Sequence, residues 1–145
     1  MGLTVNGSFS GLKGTFLFDP NEVTTSRITV SIEAASIDTG IDLRNKHLKK
    51  EDYFDVANYP EIRFVSTKIT SSSQPEKYTV TGNLTVKKTT RVVKFDFSAQ
   101  KQNGGYVCKG EFVIDRRDYE IGGSSFTMAD EVKVRLSVTA NPIQL

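Results

Sequence analysis

The stretch Ile32–Ser66, IEAASIDTGIDLRNKHLKKEDYFDVANYPEIRFVS, decides the fold because it breaks a period-two rhythm that holds on either side of it. Before it, Ile28, Val30, Ile32 and Ala34 alternate with Arg27, Thr29, Ser31 and Glu33, the pattern of a half-buried antiparallel strand. After it, Ile62, Phe64 and Ser66 share one face, with Arg63, Val65 and Thr67 opposite. Inside it, Thr39 followed three residues later by Asp42 predicts a capping box for a helix through Leu43 to Lys50. Leu43, His47 and Phe54 then recur at spacings of four and seven, a narrow and incomplete apolar stripe. Tyr59-Pro60 closes the segment, because a residue before proline is pushed toward extended conformation. The expectation is a helical or irregular cap at about residues 38–60, seated over one end of a β-barrel with a long apolar ligand beneath it.

Working outward, alternation recurs along the chain. Val5, Gly7 and Phe9, then Leu12, Gly14, Phe16 and Phe18, predict one bent strand or two short ones, closed by turn chemistry at Asp19-Pro20-Asn21. Tyr78, Val80, Gly82, Leu84 and Val86 predict another strand, as do Val93, Phe95 and Phe97. Asn103-Gly104-Gly105 is a hairpin signal, and Tyr106, Cys108, Gly110, Phe112 and Ile114 follow on one face. Asp115 to Asp130 reads as a second irregular stretch, and Val132, Val134, Leu136 and Val138 end the series. Seven or eight short strands with one long insertion predict a closed antiparallel barrel or a sandwich, not an α/β fold.

Length and composition agree with a single domain. The chain has 145 residues, 37% apolar and 25% charged, which suits one globular core. No apolar run reaches the ~20 residues of a membrane-spanning helix. A net charge of +2 is too small to argue for nucleic acid or for an anionic membrane. The single cysteine, Cys108, excludes an internal disulfide and reads as a packed strand residue. The N-terminus lacks the basic and long apolar regions of a secretory signal.

Aromatic residues gather on the predicted inner faces: Phe9, Phe16, Phe18, Phe64, Phe95, Phe97 and Phe112. Gly7, Gly14, Gly82 and Gly110 fall on the same faces. That pattern fits an ordinary packed core and a ligand cavity about equally; the inward glycines tilt it toward a cavity by removing volume. Chemistry is sparse. His47 is the only histidine and has no clustered cysteine or carboxylate, which argues against a metal. Its readings are a structural or tunnel-mouth hydrogen bond, a head-group contact or, last, catalysis. Arg116-Arg117-Asp118-Tyr119 reads as an exposed ion-paired loop or as a polar gate. Lys46, Lys49, Lys50, Lys87, Lys88 and Arg91 lack interleaved aromatics, against nucleic-acid binding. There is no phosphate loop or nucleophile elbow.

The run Ala34-x-Ser36-Ile37-Asp38-Thr39-Gly40, followed by Arg44, His47-Leu48, Asp52-Tyr53-Phe54-Asp55, Tyr59-Pro60 and Phe64-x-Ser66, resembles the YceI-like family. Gly82-x-Leu84-Thr85, Phe112-x-Ile114 and Arg117-x-Tyr119 extend the resemblance over nearly the whole chain. It implies one lipocalin-like antiparallel barrel over residues 1–145, of eight strands in the family and seven here if the N-terminal strand is lacking. The family's long apolar tunnel holds an isoprenoid chain such as a polyprenyl or quinone tail. The resemblance therefore implies a non-enzymatic carrier of an isoprenoid or fatty-acid-like lipid, with no cofactor and no metal. Tunnel-lining residues would be Phe9, Phe16, Phe18, Ile32, Leu48, Phe54, Phe64, Leu84, Phe95, Phe112 and Leu136. Polar contacts to the head group or the cap would come from Arg44, His47 and Arg117. Family members are usually exported, which implies a periplasmic site if the N-terminus is truncated and a cytoplasmic one otherwise.

Three departures stand out: Asn45 where the family has aspartate after the arginine, Lys88-Thr89-Thr90 in place of a small Gly-Val-Thr turn, and the lacking first strand. The last predicts unpaired sheet edges, hence a truncated chain or a homodimer through the exposed edge. The rival readings are a packed stress-response or interaction module without a ligand, and, more distantly, an enzyme on a quinone using His47 and Arg117.

Overall fold

The structure, a computed structural model, describes residues 6–125 and 128–140; the predicted strand position Val5 lies outside them. Seven strands follow one another in a single antiparallel sheet: β1 (Lys13–Leu17), β2 (Arg27–Glu33), β3 (Glu61–Ser71), β4 (Lys77–Val86), β5 (Thr89–Gln102), β6 (Gly105–Asp115) and β7 (Glu131–Ala140). Each pairs only with its neighbours in sequence, so the sheet is an up-and-down meander. It curls into a half-barrel. Among the described residues nothing hydrogen-bonds to the outer edge of β1 or β7. The N-terminal run is one short strand preceded by an isolated bridge between Ser8 and Asp38.

Register puts the alternating apolar residues on one face throughout. Phe16 lies opposite Ile28, Val30 opposite Phe64, Phe64 opposite Leu84, and Val80 opposite Phe95. Further along, Phe97 faces Gly110 and Phe112 faces Val134. A bulge between Ser66 and Lys68 restores the phase, so that Ile69 rejoins the inner face opposite Val80. Asn103 and Gly104 both take positive φ, 51° and 81°, forming the tight β5–β6 hairpin that the Asn-Gly pair predicts.

The inward glycines do not leave a void. A Cβ on Gly82 would stand 2.5 Å from Cζ of Phe64, and one on Gly110 would stand 3.1 Å from Cε2 of Phe95. Each glycine makes room for a phenylalanine ring from the next strand, an arrangement that seals sheet glycines with aromatic surface. Phe64 and Phe95 sit 5.8 Å apart, and Phe95 stacks on Phe112 at 4.6 Å. A band of rings thus crosses the concave face from β3 to β6. At the end remote from the insertion, Phe18 reaches across the curl onto Tyr78, Phe97 and Tyr106 with centroids 5.0, 6.0 and 5.3 Å away. These edge-to-face contacts close that end.

The insertion forms the one described α-helix, α1 (Asp42–Leu48), at the other end of the half-barrel. The predicted capping box is absent: the N-cap is Ile41, and no side chain caps it. Thr39 is occupied elsewhere. Its hydroxyl donates to Oδ1 of Asn45 at 2.6 Å and accepts from Nε of Arg44 at 2.8 Å. Of the helix residues only Leu48 is buried, so one side chain anchors α1 to the body. Below it, Tyr53 and Phe54 pack against the core, and Phe9 meets Phe54 edge-on at 5.5 Å.

Candidate functional site

Two surfaces could hold a ligand: the apolar concave face and a polar pocket at the rim of the cap. The expected lining residues are arranged on the first as a gradient. Leu48, Phe64, Leu84 and Phe95 are buried among their neighbours. Phe16, Phe18, Phe54, Phe112 and Leu136 are half-buried and pack against that core, and Ile32 is half-buried opposite Ile62. Phe9, also half-buried, belongs with the cap through Phe54. Three of these half-covered side chains, Phe16, Phe112 and Leu136, come from the edge strands β1 and β7 and from β6 beside β7. Apolar surface therefore stays accessible along the gap between β1 and β7, while the middle of the sheet is closed.

The polar pocket, of about 490 Å³, is lined by His47, Glu51, Asp52, Tyr53, Lys87, Glu120, Gly122 and Gly123. It forms where three segments meet: the loop after α1, the β4–β5 turn and the loop after β6. Lys87 takes a left-handed backbone, φ 55°, at that turn. Its Nζ donates to the carbonyl oxygens of Glu120 at 2.9 Å and Glu51 at 3.4 Å. The N–H of Gly122 donates to the carbonyl of Asp52 at 2.7 Å. A second pocket, of about 330 Å³, lies against β1, β2 and β3 beside Lys13, Ser31 and Arg63.

The three expected polar contacts have separate fates. Arg44 is used up inside the cap, its guanidinium donating to the Thr39 hydroxyl and, at 2.6 Å, to the Thr39 carbonyl. His47 is exposed at the pocket rim with its ring 4.8 Å from that of Tyr53. Arg117 is exposed, and its backbone N–H, not its side chain, is what the fold uses, donating to Asp115. The structure does not bring the three together.

The expected exposed loop at Arg116-Arg117-Asp118-Tyr119 is corrected at Arg116 and Tyr119, which are both buried. Arg116 is 2% exposed, and its guanidinium donates to the carbonyls of Ile121, Ala129 and Met128 and to Oδ1 of Asp130. It pins the irregular stretch between β6 and β7. The signal was available: counting in twos from Phe112 and Ile114 places residue 116 inward.

Asn45 also gains a role. Its Oδ1 accepts from the backbone N–H and hydroxyl of Thr39, while its Nδ2 donates to Asp38 at 3.3 Å. The N–H of Gly40 and the Asn45 amide hold the Asp38 carboxyl below its ordinary pKa. Burial pushes the Cys108 thiol up to about 11 and raises Tyr78 and Tyr119 as well, so these inner groups stay neutral at physiological pH. Among the described residues no cluster of histidine, cysteine and carboxylate could hold a metal.

An antiparallel half-barrel with an apolar concave face, ring-sealed at one end and capped by a short helix at the other, is a lipocalin-like architecture. The YceI-like domain model matches residues 1–140, and the chain belongs to that family. It is 36% identical to a UPF0312 protein of Pectobacterium atrosepticum, covering 91% of this chain and 71% of that one. It is 35% identical over 125 residues to a UPF0312 protein of Pseudomonas savastanoi, covering 82% of this chain and 65% of the other. A UPF0312 protein of Photorhabdus laumondii is 40% identical over 87 residues, and that match spans 44% of its length. Thus the chain covers between 44% and 71% of the length of these relatives. Among solved structures, Burkholderia cenocepacia BcnA superposes with a TM-score of 0.87 at 27% identity, over 93% of this chain and 87% of that one. The Campylobacter jejuni YCEI protein gives 0.85 at 24% identity over 99% and 88% of the two chains, a likeness of fold.

Proposed function

We propose that the concave face binds one long apolar chain, of isoprenoid or similar lipid type, and that the protein is a non-catalytic carrier or store for it. The observation that supports this reading is the row of half-buried inward side chains beside the open gap, among them Phe16, Phe112 and Leu136. A hydrocarbon tail laid there would remove their remaining apolar surface from water. At about 0.8 kcal/mol per methylene-sized group, ten buried carbons offer roughly 8 kcal/mol gross. Ordering the tail takes back a sizeable part. Selectivity would come from length and width of the trough, since directional partners are few on that face.

A second reading, a packed module that works by protein contact and carries nothing, draws on the rings over Gly82 and Gly110, which fill the middle of the sheet. Native mass spectrometry followed by organic extraction separates the two. A carrier retains extractable lipid or takes up a prenyl alcohol at one per chain. Protein that holds no lipid and takes up no such probe supports the packed module.

A further inference from the structure

The most exposed large apolar side chain of the described molecule is on the cap. Leu43 is 78% exposed on α1, and Ile41, at the helix entrance, is 53% exposed. At about 100° per residue, Lys46 and His47 fall within about 60° of Leu43 around the helix axis, and the exposed Lys50 follows two residues past the helix end. The opposite side carries Leu48, the residue that anchors the helix. Asp42 and Arg44 lie to either side, and Arg44 is committed to Thr39. Lys46, Lys49 and Lys50 have no ion-pair partner among the described residues. The outer face of the cap is therefore an exposed leucine ringed by uncommitted cations.

We propose that this face docks on a membrane surface rich in anionic lipid, with Leu43 and Ile41 entering the interface and Lys46 and Lys50 meeting lipid phosphates. Charge complementarity selects that partner: the lysines lack intramolecular carboxylates, and an apolar centre with a cationic rim is the arrangement that holds peripheral helices at such interfaces. No described helix is long and apolar enough to cross a bilayer. The cap sits at the end of the half-barrel opposite the aromatic seal. Docking there would set the capped end of the half-barrel against the lipid from which a cargo chain is drawn; that purpose rests on the carrier reading, while the docking does not.

The chain has no tryptophan, so Leu43→Trp gives a reporter at the patch. Val92, 70% exposed on β5, gives the control position as Val92→Trp. Vesicles of phosphatidylcholine with and without phosphatidylglycerol are the probe. The expected result is a blue-shifted Leu43→Trp emission with anionic vesicles only, reversed by salt, and no shift for Val92→Trp. Lys46→Glu combined with Lys50→Glu should abolish the shift while leaving any extractable lipid content of the protein unchanged. An unshifted Leu43→Trp, or equal shifts at both positions, overturns the proposal whether or not the protein carries cargo. A shift that appears without vesicles and grows with protein concentration also overturns it, in favour of a second copy as the partner.

Discussion

Arg116 and Arg117 stand side by side and have opposite structural weight. The guanidinium of Arg116 is buried at 2% exposure among three carbonyls and the Asp130 carboxylate. Truncating it orphans the buried Ile121 carbonyl, while Asp130, half exposed, can turn to water. Arg116→Ala should lower unfolding stability by about 1–3 kcal/mol, whereas Arg117→Ala should stay within about 0.5 kcal/mol, both read from urea midpoints. Equal effects would mean that the loop after β6 is held by something other than Arg116. The two glycines beneath the phenylalanines offer a second pair. A methyl at Gly82 meets Val65 backbone at 2.6 Å as well as the Phe64 ring, and backbone cannot step aside. At Gly110 the tightest approach is 3.1 Å, to the edge of a ring. Gly82→Ala should therefore cost about 1–3 kcal/mol by overpacking and Gly110→Ala under about 1 kcal/mol. Thermal unfolding of the two variants checks the order, and a Gly110→Ala protein less stable than Gly82→Ala would contradict it.

At the scale of elements, the cap shows what a linear pattern reveals and what it hides. That Ile32–Ser66 interrupts the sheet, contains a helix and covers an end is written in its broken alternation. The way it is fastened is not, because Thr39, Arg44 and Asn45 are joined by geometry across a turn and not by the fixed three-residue spacing of a capping box. Asn45 matters here because an amide both accepts from Thr39 and donates to Asp38. An aspartate keeps the first bonds and loses the second, setting two carboxylates against each other. The sign of the pH effect follows. In the native chain the lowered pKa of Asp38 contributes stability above the ordinary carboxylate range, and that stability is lost as pH falls through the lowered value. In Asn45→Asp the contribution reverses at neutral pH, because one carboxylate must ionise beside another. Amide hydrogen exchange in residues 38–48 should thus be faster in Asn45→Asp than in the parent at pH 7, with the gap closing in acid once one carboxyl is protonated. A gap that widened in acid would sink the account.

For the whole molecule, the seven strands and their inner faces were legible because a period of two and a buried face fix register together. The state of the interior was not legible. Inward glycines announce missing side chains, and only the coordinates show Phe64 and Phe95 lying over them. The expectation of unpaired edges holds among the described residues, and the side chains on β7 bear on whether two copies can join there. Extending the sheet through β7 about a two-fold axis must keep inner faces together. Of the two such registers that overlap nearly all of the strand, one sets Arg135 opposite Arg135 and the other makes the two arginines diagonal neighbours, both unfavourable. Lys133 stands on the same outer face, and Glu111 of the neighbouring strand pairs with both cations at 3.6 and 3.2 Å. Such charges on an edge strand discourage pairing between copies. Replacing Lys133 and Arg135 together by threonine removes the repulsion and adds β-formers, so the double variant should self-associate more strongly than the parent in sedimentation velocity. High salt should move the parent in the same direction by screening. A double variant that associates no more than its parent at every salt concentration would show that the charge of this edge does not govern pairing through β7.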